Sequence, residues 1–342
     1  MIENIISASG LERFKALVGG ASRIVITCHK RADGDAMGSS LALCLALRAM
    51  GKNATVIIPD QLSQSLEFMV EGLDFVTFSH NERRAGNIIR NTQLIMCLDY
   101  NTLSRVDRMQ PLLESSQAPK VLIDHHLNPA AGEFALKFSY PELSSTSEVV
   151  FRLLSEAGWL GSVDRRVASL LFVGIMTDTG NLSWSSSRGE VYEIMARLME
   201  YGIDKPSLYK QAMDTVPLNS LKLQSYALLQ KMTIIDGSIA LIVLDSGDLE
   251  AYGYKTGDTE RLVNRPLSVR EVYWSTFMRE DADCIKVSMR SEGDFAVDTL
   301  CATYFGGGGH KNAAAGEFKG TMAEAVDVFY KIVEKIKTDK KS

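Results

Sequence analysis

Three short apolar runs near the start of the chain each end in a histidine or an aspartate, and this pattern limits the possible folds more than any other feature. Arg23-Ile24-Val25-Ile26-Thr27-Cys28 runs into His29, Leu94–Leu98 into Asp99, and Lys120–Ile123 into Asp124-His125-His126. Between the first two lie Ala36–Met50, apolar at helical spacing and ending at Gly51, then a strand-like Ala54–Ile58 and a helix-like Leu62–Glu71. Near-continuous apolar strands alternating with helices predict a parallel sheet covered on both faces. In such sheets ligands gather beyond the carboxyl ends of the strands. The histidines and aspartates fall where a site is expected.

Further along, Ser147–Glu156, Ala168–Met176 and Val191–Tyr201 read as helices, and Leu218–Met232 as a long connecting one. The texture then turns β-rich at Ser238–Leu244 and Cys284–Met289, followed by a glycine cluster and an amphipathic helix, Met322–Ile336. The expected fold is α/β: a parallel-sheet domain over 1–190, a helical connector over 191–230, and a smaller α/β domain over 231–342. The site is expected in the cleft between the domains. A length of 342 residues suits two domains of roughly 150 residues each. The lysine-rich tail, Lys335–Ser342, reads as frayed and solvated.

Charge and cysteine usage narrow the function classes. With 37 Lys+Arg against 42 Asp+Glu, the net charge of −5 argues against a broad basic face for long duplex nucleic acid. No apolar run approaches the ~18 residues that a bilayer demands, and the polar N-terminus does not read as a signal peptide. The expectation is a cytoplasmic protein without a membrane partner. Five cysteines without a CxxC argue against a disulfide framework or structural zinc, and read as small packing groups.

The chemistry lies in His29-Lys30-Arg31-Ala32-Asp33-Gly34-Asp35, Asp99, Asp124-His125-His126 and a fourth acidic group, Asp178, in Thr177-Asp178-Thr179-Gly180. Carboxylates gathered in one cleft repel one another unless a cation neutralises them. Four of them, Asp33, Asp35, Asp99 and Asp178, balance two divalent cations. Neutral imidazoles at His29 and His125 shift the preference from Mg²⁺ towards Mn²⁺ or another transition metal. Two such ions activate a water and clamp a phosphoryl group. The bland reading, in which each Asp caps a helix and each His sits on the surface, serves any one residue better than the whole set.

A second signal is Gly306-Gly307-Gly308-Gly309-His310-Lys311-Asn312-Ala313-Ala314-Ala315-Gly316. Consecutive glycines let backbone N–H groups converge on an anion, and here they precede what reads as an Ala-rich helix start. Arg290 is a natural guanidinium partner for a phosphate. A flexible loop and an exposed strand-end arginine are the alternatives. Trp159 and Trp274 read as packing residues, and core packing is preferred over base stacking for Trp184. Arg105 fits a phosphate contact or a surface ion pair equally, and His80 reads as exposed.

Taken together, HKRADGDAMGS from His29, LDY from Leu98, DHH from Asp124, TDTG from Thr177, VSMRS from Val287 and GGGGHKNAAAG from Gly306 resemble the DHH phosphoesterase superfamily with its DHH-associated C-terminal domain, in the nano-RNase/pAp phosphatase branch. The resemblance covers nearly the whole chain. It implies one metal on His29, Asp33 and Asp99, and a second on Asp35, Asp99, His125 and Asp178, Mn²⁺ being the expected ion. It implies that His126 faces the scissile phosphate, that Asp124 orients its neighbours, and that Arg290, Ser291, Gly307, Gly308, Gly309 and His310 bind substrate. The implied substrates are short oligonucleotides, pAp or dinucleotides, with a homodimer as the assembly allowed for. Cyclic-dinucleotide or linear-dinucleotide hydrolysis and a non-catalytic nucleotide-binding role are the alternatives. Pyrophosphatase or exopolyphosphatase and long-strand exonuclease activities fit less well, because the sequence shows neither a Lys/Arg-rich second domain nor extra nucleic-acid-binding modules, and the Gly-His loop speaks against a compact polyanion.

Overall fold

A computed structural model describes residues 2–339. Two compact units divide between Thr215 and Val216. The first unit runs α1 (Ala8–Gly20), β1 (Arg23–Thr27), α2 (Gly34–Ala49), β2 (Asn53–Ile58), α3 (Glu67–Val70), β3 (Val76–Thr77), α4 (Glu82–Arg90), β4 (Leu94–Leu98), α5 (Gln110–Ser115), β5 (Lys120–Asp124), β6 (Leu136–Ser139), α6 (Thr146–Glu156), α7 (Arg165–Asp178), α8 (Gly189–Met199) and α9 (Lys205–Met213). Its six strands are all parallel, in the order β3-β2-β1-β4-β5-β6. Successive side chains point to opposite faces, and both faces are covered. Ile24, Ile26, Met96 and Ile123 pack with α2, α6 and α7, while Val25, Ile95, Cys97 and Leu122 pack with α4 and α5. The strand order turns back between β1 and β4, so the crevice of this sheet opens where His29 and Asp99 emerge.

The helix expected over Leu62–Glu71 breaks into a 3₁₀ turn at Gln64–Leu66 and the single turn of α3. The Ser63 and Ser65 hydroxyls bond each other at 2.9 Å there, the local competition that shortens serine-rich helices. By contrast α2 and α7 meet backbone to backbone. A Cβ on Gly38 would lie 2.6 Å from the Leu170 carbonyl oxygen, and one on Gly174 would lie 2.0 Å from Ser147 Oγ and 2.9 Å from Asp35 Oδ1. Only glycines allow that crossing.

The second unit runs α10 (Leu218–Gln230), β7 (Met232–Ile235), β8 (Ile239–Leu244), α11 (Ser246–Ala251), β9 (Trp274–Glu280), β10 (Ile285–Ser291), α12 (Asp298–Tyr304), β11 (Gly308–His310), β12 (Ala313–Phe318) and α13 (Met322–Asp339). Its sheet is mixed, in the order β11-β12-β10-β9-β8-β7, with β8 and β9 parallel and the other pairs antiparallel. Residues 191–230, expected as a connector, are shared out. Helix α8 buries Val191, Ile194 and Leu198 in the first core, and α10 buries Leu223 and Ala227 beside Ile242 and Leu244 of β8.

The Ala-rich stretch after the glycines is not a helix start. Ala313–Phe318 is strand β12, paired on one side with β10 and on the other with β11. Small residues here serve close backbone approach, since a Cβ on Gly307 would lie 2.0 Å from the Ala315 carbonyl oxygen. Pairing overrides the helix propensity of alanine. Part of the expected tail, Lys335–Asp339, is the last turn of α13, and residues 340–342 lie outside the described residues. No helix among the described residues is long and apolar enough to cross a membrane. Cys28, Cys44, Cys97 and Cys301 are buried, Trp274 is fully buried, and Trp159 packs against the Phe14 ring.

Candidate active site

The site grows out of three strand ends and two helix ends of the first unit. Beyond β1, His29 Nδ1 donates to the Lys30 carbonyl at 2.8 Å, which leaves Nε2 for Asp99 Oδ2 at 3.3 Å. Asp33 caps α2, its Oδ1 accepting from the backbone N–H groups of Asp35 and Ala36 at 3.1 and 3.0 Å. The bland capping role is therefore real for Asp33, and its second oxygen is left over on a side chain that is 57% exposed. Asp35 lies in the first turn of α2, where its two oxygens accept from Thr146 N at 2.6 Å and Ser147 N at 2.9 Å. Those donors are the N-terminus of α6, whose dipole favours a carboxylate.

Asp99, at the end of β4, is 2% exposed and adopts φ +61°, an uncommon left-handed conformation for a residue with a side chain. Thr146 Oγ1 donates to its Oδ1 at 2.9 Å. Past β5, His125 brings Nε2 within 3.7 Å of Asp99 Oδ1 and 3.4 Å of Asp178 Oδ2. Asp178 is the last residue of α7, a helix end that disfavours negative charge. His126 Nδ1 bonds Asp124 Oδ1 at 2.7 Å. The other Asp124 oxygen is buried with no protein partner.

These side chains form overlapping sets. His29, Asp33 and Asp99 offer ligand atoms within 4.8 Å of one another, and so do Asp35, Asp99 and His125, so Asp99 is common to both. The electrostatics shows what the cluster lacks. Burial and the neighbouring Asp99 push the Asp35 carboxyl up to about 7, and burial together with Asp35 raises Asp178 well above the carboxylate range. Burial alone would lower His29, but the Asp99 hydrogen bond and the Asp33 charge outweigh it and raise the ring to about 9. Asp99 is also desolvated, yet the surrounding imidazoles hold it below its ordinary value. Carboxyls forced to keep protons beside imidazoles forced to gain them describe a site short of positive charge. The donor set, His nitrogen with carboxylate oxygen, fits a pair of divalent cations sharing Asp99.

Such cations must displace those protons. Binding of Mn²⁺ should therefore release protons at neutral pH, and affinity should climb by about tenfold per pH unit for each proton displaced, levelling above about pH 9 once His29 is neutral. Calorimetry in buffers of differing ionisation enthalpy reads the proton count. A pH-independent affinity between pH 6 and pH 9 would contradict this assignment.

In the second unit, Arg290 lies near the end of β10, opposite Ser275 on β9 and Ala313 on β12. Its Nη1 donates to the Met289 carbonyl at 2.8 Å, burial lowers its pKa, and among the described residues no carboxylate contributes to its surroundings. Ser291 is otherwise engaged. Its hydroxyl donates to the Phe295 carbonyl at 2.5 Å and accepts from Asn312 Nδ2 at 2.9 Å, so its one O–H braces the loop instead of awaiting a ligand. Gly308, Gly309 and His310 form the exposed edge strand β11, with Gly307 just before it.

Sequence reasoning missed the turn that organises the metal side. Ser144–Ser147 supplies three hydrogen bonds to Asp35 and Asp99, and it is braced from below. Glu148 Oε2 accepts from Ser144 N at 2.9 Å and Ser144 Oγ at 2.8 Å, and its Oε1 accepts from Nη2 of the buried Arg152 at 2.8 Å. Arg152 also reaches Glu190 at 3.2 Å and the Glu3 carbonyl at 3.0 Å. The signal was there: Ser145-x-x-Glu148 before an apolar run is the capping-box pattern, of which the fold keeps one half, Ser145 Oγ accepting from Glu148 N at 3.1 Å while the carboxylate turns to Ser144. Trp184, expected in the core, is instead 49% exposed.

The DHH family N-terminal domain matches residues 23–175, and the DHHA1 domain matches residues 238–339. An exopolyphosphatase-related protein from Bacteroides fragilis, known from a crystal structure, is 38% identical, with a TM-score of 0.94 over 100% of both chains. The bifunctional oligoribonuclease and PAP phosphatase NrnA of Bacillus subtilis is 27% identical over 83% of this chain and 86% of its own. Its namesake from Thermus thermophilus is 28% identical over 87% and 84%. With both domain matches in chain order and this cluster of histidines and aspartates at the strand ends, the chain belongs to the DHH family of phosphoesterases and carries a DHHA1 domain in its second unit.

Proposed function

We propose that this protein is a manganese-dependent phosphohydrolase that degrades short oligoribonucleotides and removes a phosphate from adenosine 3′,5′-bisphosphate. The observation that carries the reading is the pair of donor sets sharing the buried, strained Asp99. The activities for which the two NrnA relatives are named support the choice of substrate. His29, Asp33, Asp35, Asp99, His125 and Asp178 would hold two divalent ions, which would supply an ionised water and neutralise phosphoryl charge.

The chain's own groups do the rest. Asp124 Oδ1 accepts a hydrogen bond from His126 Nδ1–H, which fixes the ring and raises its pKa despite burial, so that its other nitrogen presents a proton to the phosphate being cleaved. Arg290 pairs with a terminal phosphate, and its desolvated guanidinium favours that anion over water. His310 and the glycines beside it add N–H donors. Free, mostly buried cysteines suit a cytoplasmic setting.

The test is a panel of dinucleotides, tri- to pentanucleotides, longer strands, adenosine 3′,5′-bisphosphate, cyclic dinucleotides and pyrophosphate, each with Mn²⁺ and with Mg²⁺. The highest kcat/KM is expected with Mn²⁺ on the bisphosphate and on strands below about five nucleotides, because a chain of charge −5 gains little from extra phosphates. Preference for cyclic dinucleotides or pyrophosphate would overturn the substrate class. Absence of metal-dependent hydrolysis on the whole panel would leave a nucleotide-binding protein without catalysis.

A further inference from the structure

Trp184 is a large aromatic surface held in water beside the metal-ligand cluster, and the fold is constrained to keep it there. Its Nε1 donates to the backbone carbonyl of Asp178 at 2.8 Å, and its own N–H donates to the Thr179 carbonyl at 3.1 Å. The benzo ring lies against Gly180, where a Cβ would come 2.0 Å from Cη2. The loop around it contains three non-glycine residues in the left-handed region, Asn181 at φ +58°, Leu182 at +65° and Ser185 at +48°. The loop is also pinned, with Asn181 N on the Met176 carbonyl at 2.7 Å, Leu182 N on Thr179 Oγ1 at 3.0 Å and Ser183 Oγ on the Gly180 carbonyl at 2.7 Å.

A packing role does not account for this. Burial stabilises an aromatic in proportion to the area removed from water, yet Trp184 leaves 49% exposed whereas Trp274 is fully buried. Capping the helix carbonyl at Asp178 needs only an N–H donor, which a smaller side chain provides. Strained backbone that persists under many constraints is a sign of use. An indole fixed by hydrogen bonds has lost its rotamer freedom before any ligand arrives, so stacking on it costs little further order. Asp178 supplies both the backbone carbonyl that fixes the ring and a carboxylate 3.4 Å from His125 Nε2, so this surface is anchored on a residue of the cluster itself.

We propose that Trp184 is the stacking platform for the nucleobase attached to the phosphate being cleaved, and so selects nucleotides over base-free phosphate esters. This rests on the phosphohydrolase reading for the identity of the ligand. Aromatic–base stacking is sequence-tolerant, as an enzyme of mixed short fragments requires.

The test compares binding of adenosine 3′,5′-bisphosphate and ribose 3,5-bisphosphate, which carries the same phosphates without a base. Affinities are measured by calorimetry in Ca²⁺, together with the quenching of tryptophan fluorescence. The unsubstituted protein should prefer the nucleotide by about 10- to 100-fold. In Trp184→Ala that ratio should fall towards one and the quenching should vanish. Trp184→Phe, which keeps a π face but loses the N–H, should retain most of the preference. Trp184→Leu, with apolar volume and no π face, should behave as the alanine variant does, and it replaces that variant if alanine does not fold. An unsubstituted protein without preference, or equal loss in the Phe and Ala variants, would overturn the platform. Because binding is measured without turnover, a protein that hydrolyses nothing in the panel still tells whether Trp184 stacks on a base.

Discussion

Asp99→Asn should lower kcat/KM by on the order of 10³-fold or more at saturating Mn²⁺ while circular dichroism and Tm show an intact fold. Asparagine is the substitution that isolates charge from shape. It is nearly isosteric, and it is among the few residues that tolerate the left-handed conformation Asp99 adopts. The hydrogen bond from Thr146 Oγ1 can be kept by the amide oxygen. What disappears is the negative charge common to both donor sets, on which the raised pKa of His29 also depends. Its ring should titrate lower in the variant, a shift visible by NMR. Near-normal turnover in Asp99→Asn would sink the shared-carboxylate arrangement.

Arg290→Met should separate function from stability. The variant should lose about 10²-fold in kcat/KM, mainly through KM, with Mn²⁺ binding to the first unit unchanged. Tm should stay level or rise, because a desolvated guanidinium without a carboxylate partner costs stability, and an apolar side chain of similar length removes that cost. A fall in Mn²⁺ affinity would show that Arg290 belongs to the metal side after all. A large drop in Tm would show that its bonds to the Met289 and Ala314 carbonyls hold β10 in place.

The parts of this fold that sequence made legible are those governed by local pattern. Leu94–Leu98 is a strand over the residues expected, and β1, β2, β5, α2 and α6 fall within one or two residues of their expected bounds. Strand ends were enough to bring His29, Asp99 and Asp124–His126 to one edge, because a parallel sheet leaves no other edge for them. Ala313–Phe318 was not legible as a strand because its pairing with Ile285–Arg290 is a long-range contact that no local preference reports. Ser291 differs in kind. Its residue type suits a phosphate, but only the folded chain reveals that Phe295 and Asn312 already occupy the hydroxyl. Trp184 was misjudged because apolar residues are usually inside, a rule that says least about residues a protein displays.

The bare crossing of α2 and α7 has a consequence for how such a protein changes over time. Gly38 lies one turn from Asp35, and Gly174 lies one turn from Asp178, so the spacing of these two carboxylates is inherited from the contact of two backbones. A methyl group at Gly38 would press on the α7 backbone, and one at Gly174 would press on the Ser147 and Asp35 side chains, so either moves one carboxylate relative to the other with every clustered side chain still present. Ion selectivity among Mg²⁺, Mn²⁺ and Ca²⁺ depends on cavity size and ligand spacing. The spacing within this cluster therefore rests partly on two positions with no chemistry of their own, and under the proposed function a substitution there is expected to change cation preference without touching any clustered side chain.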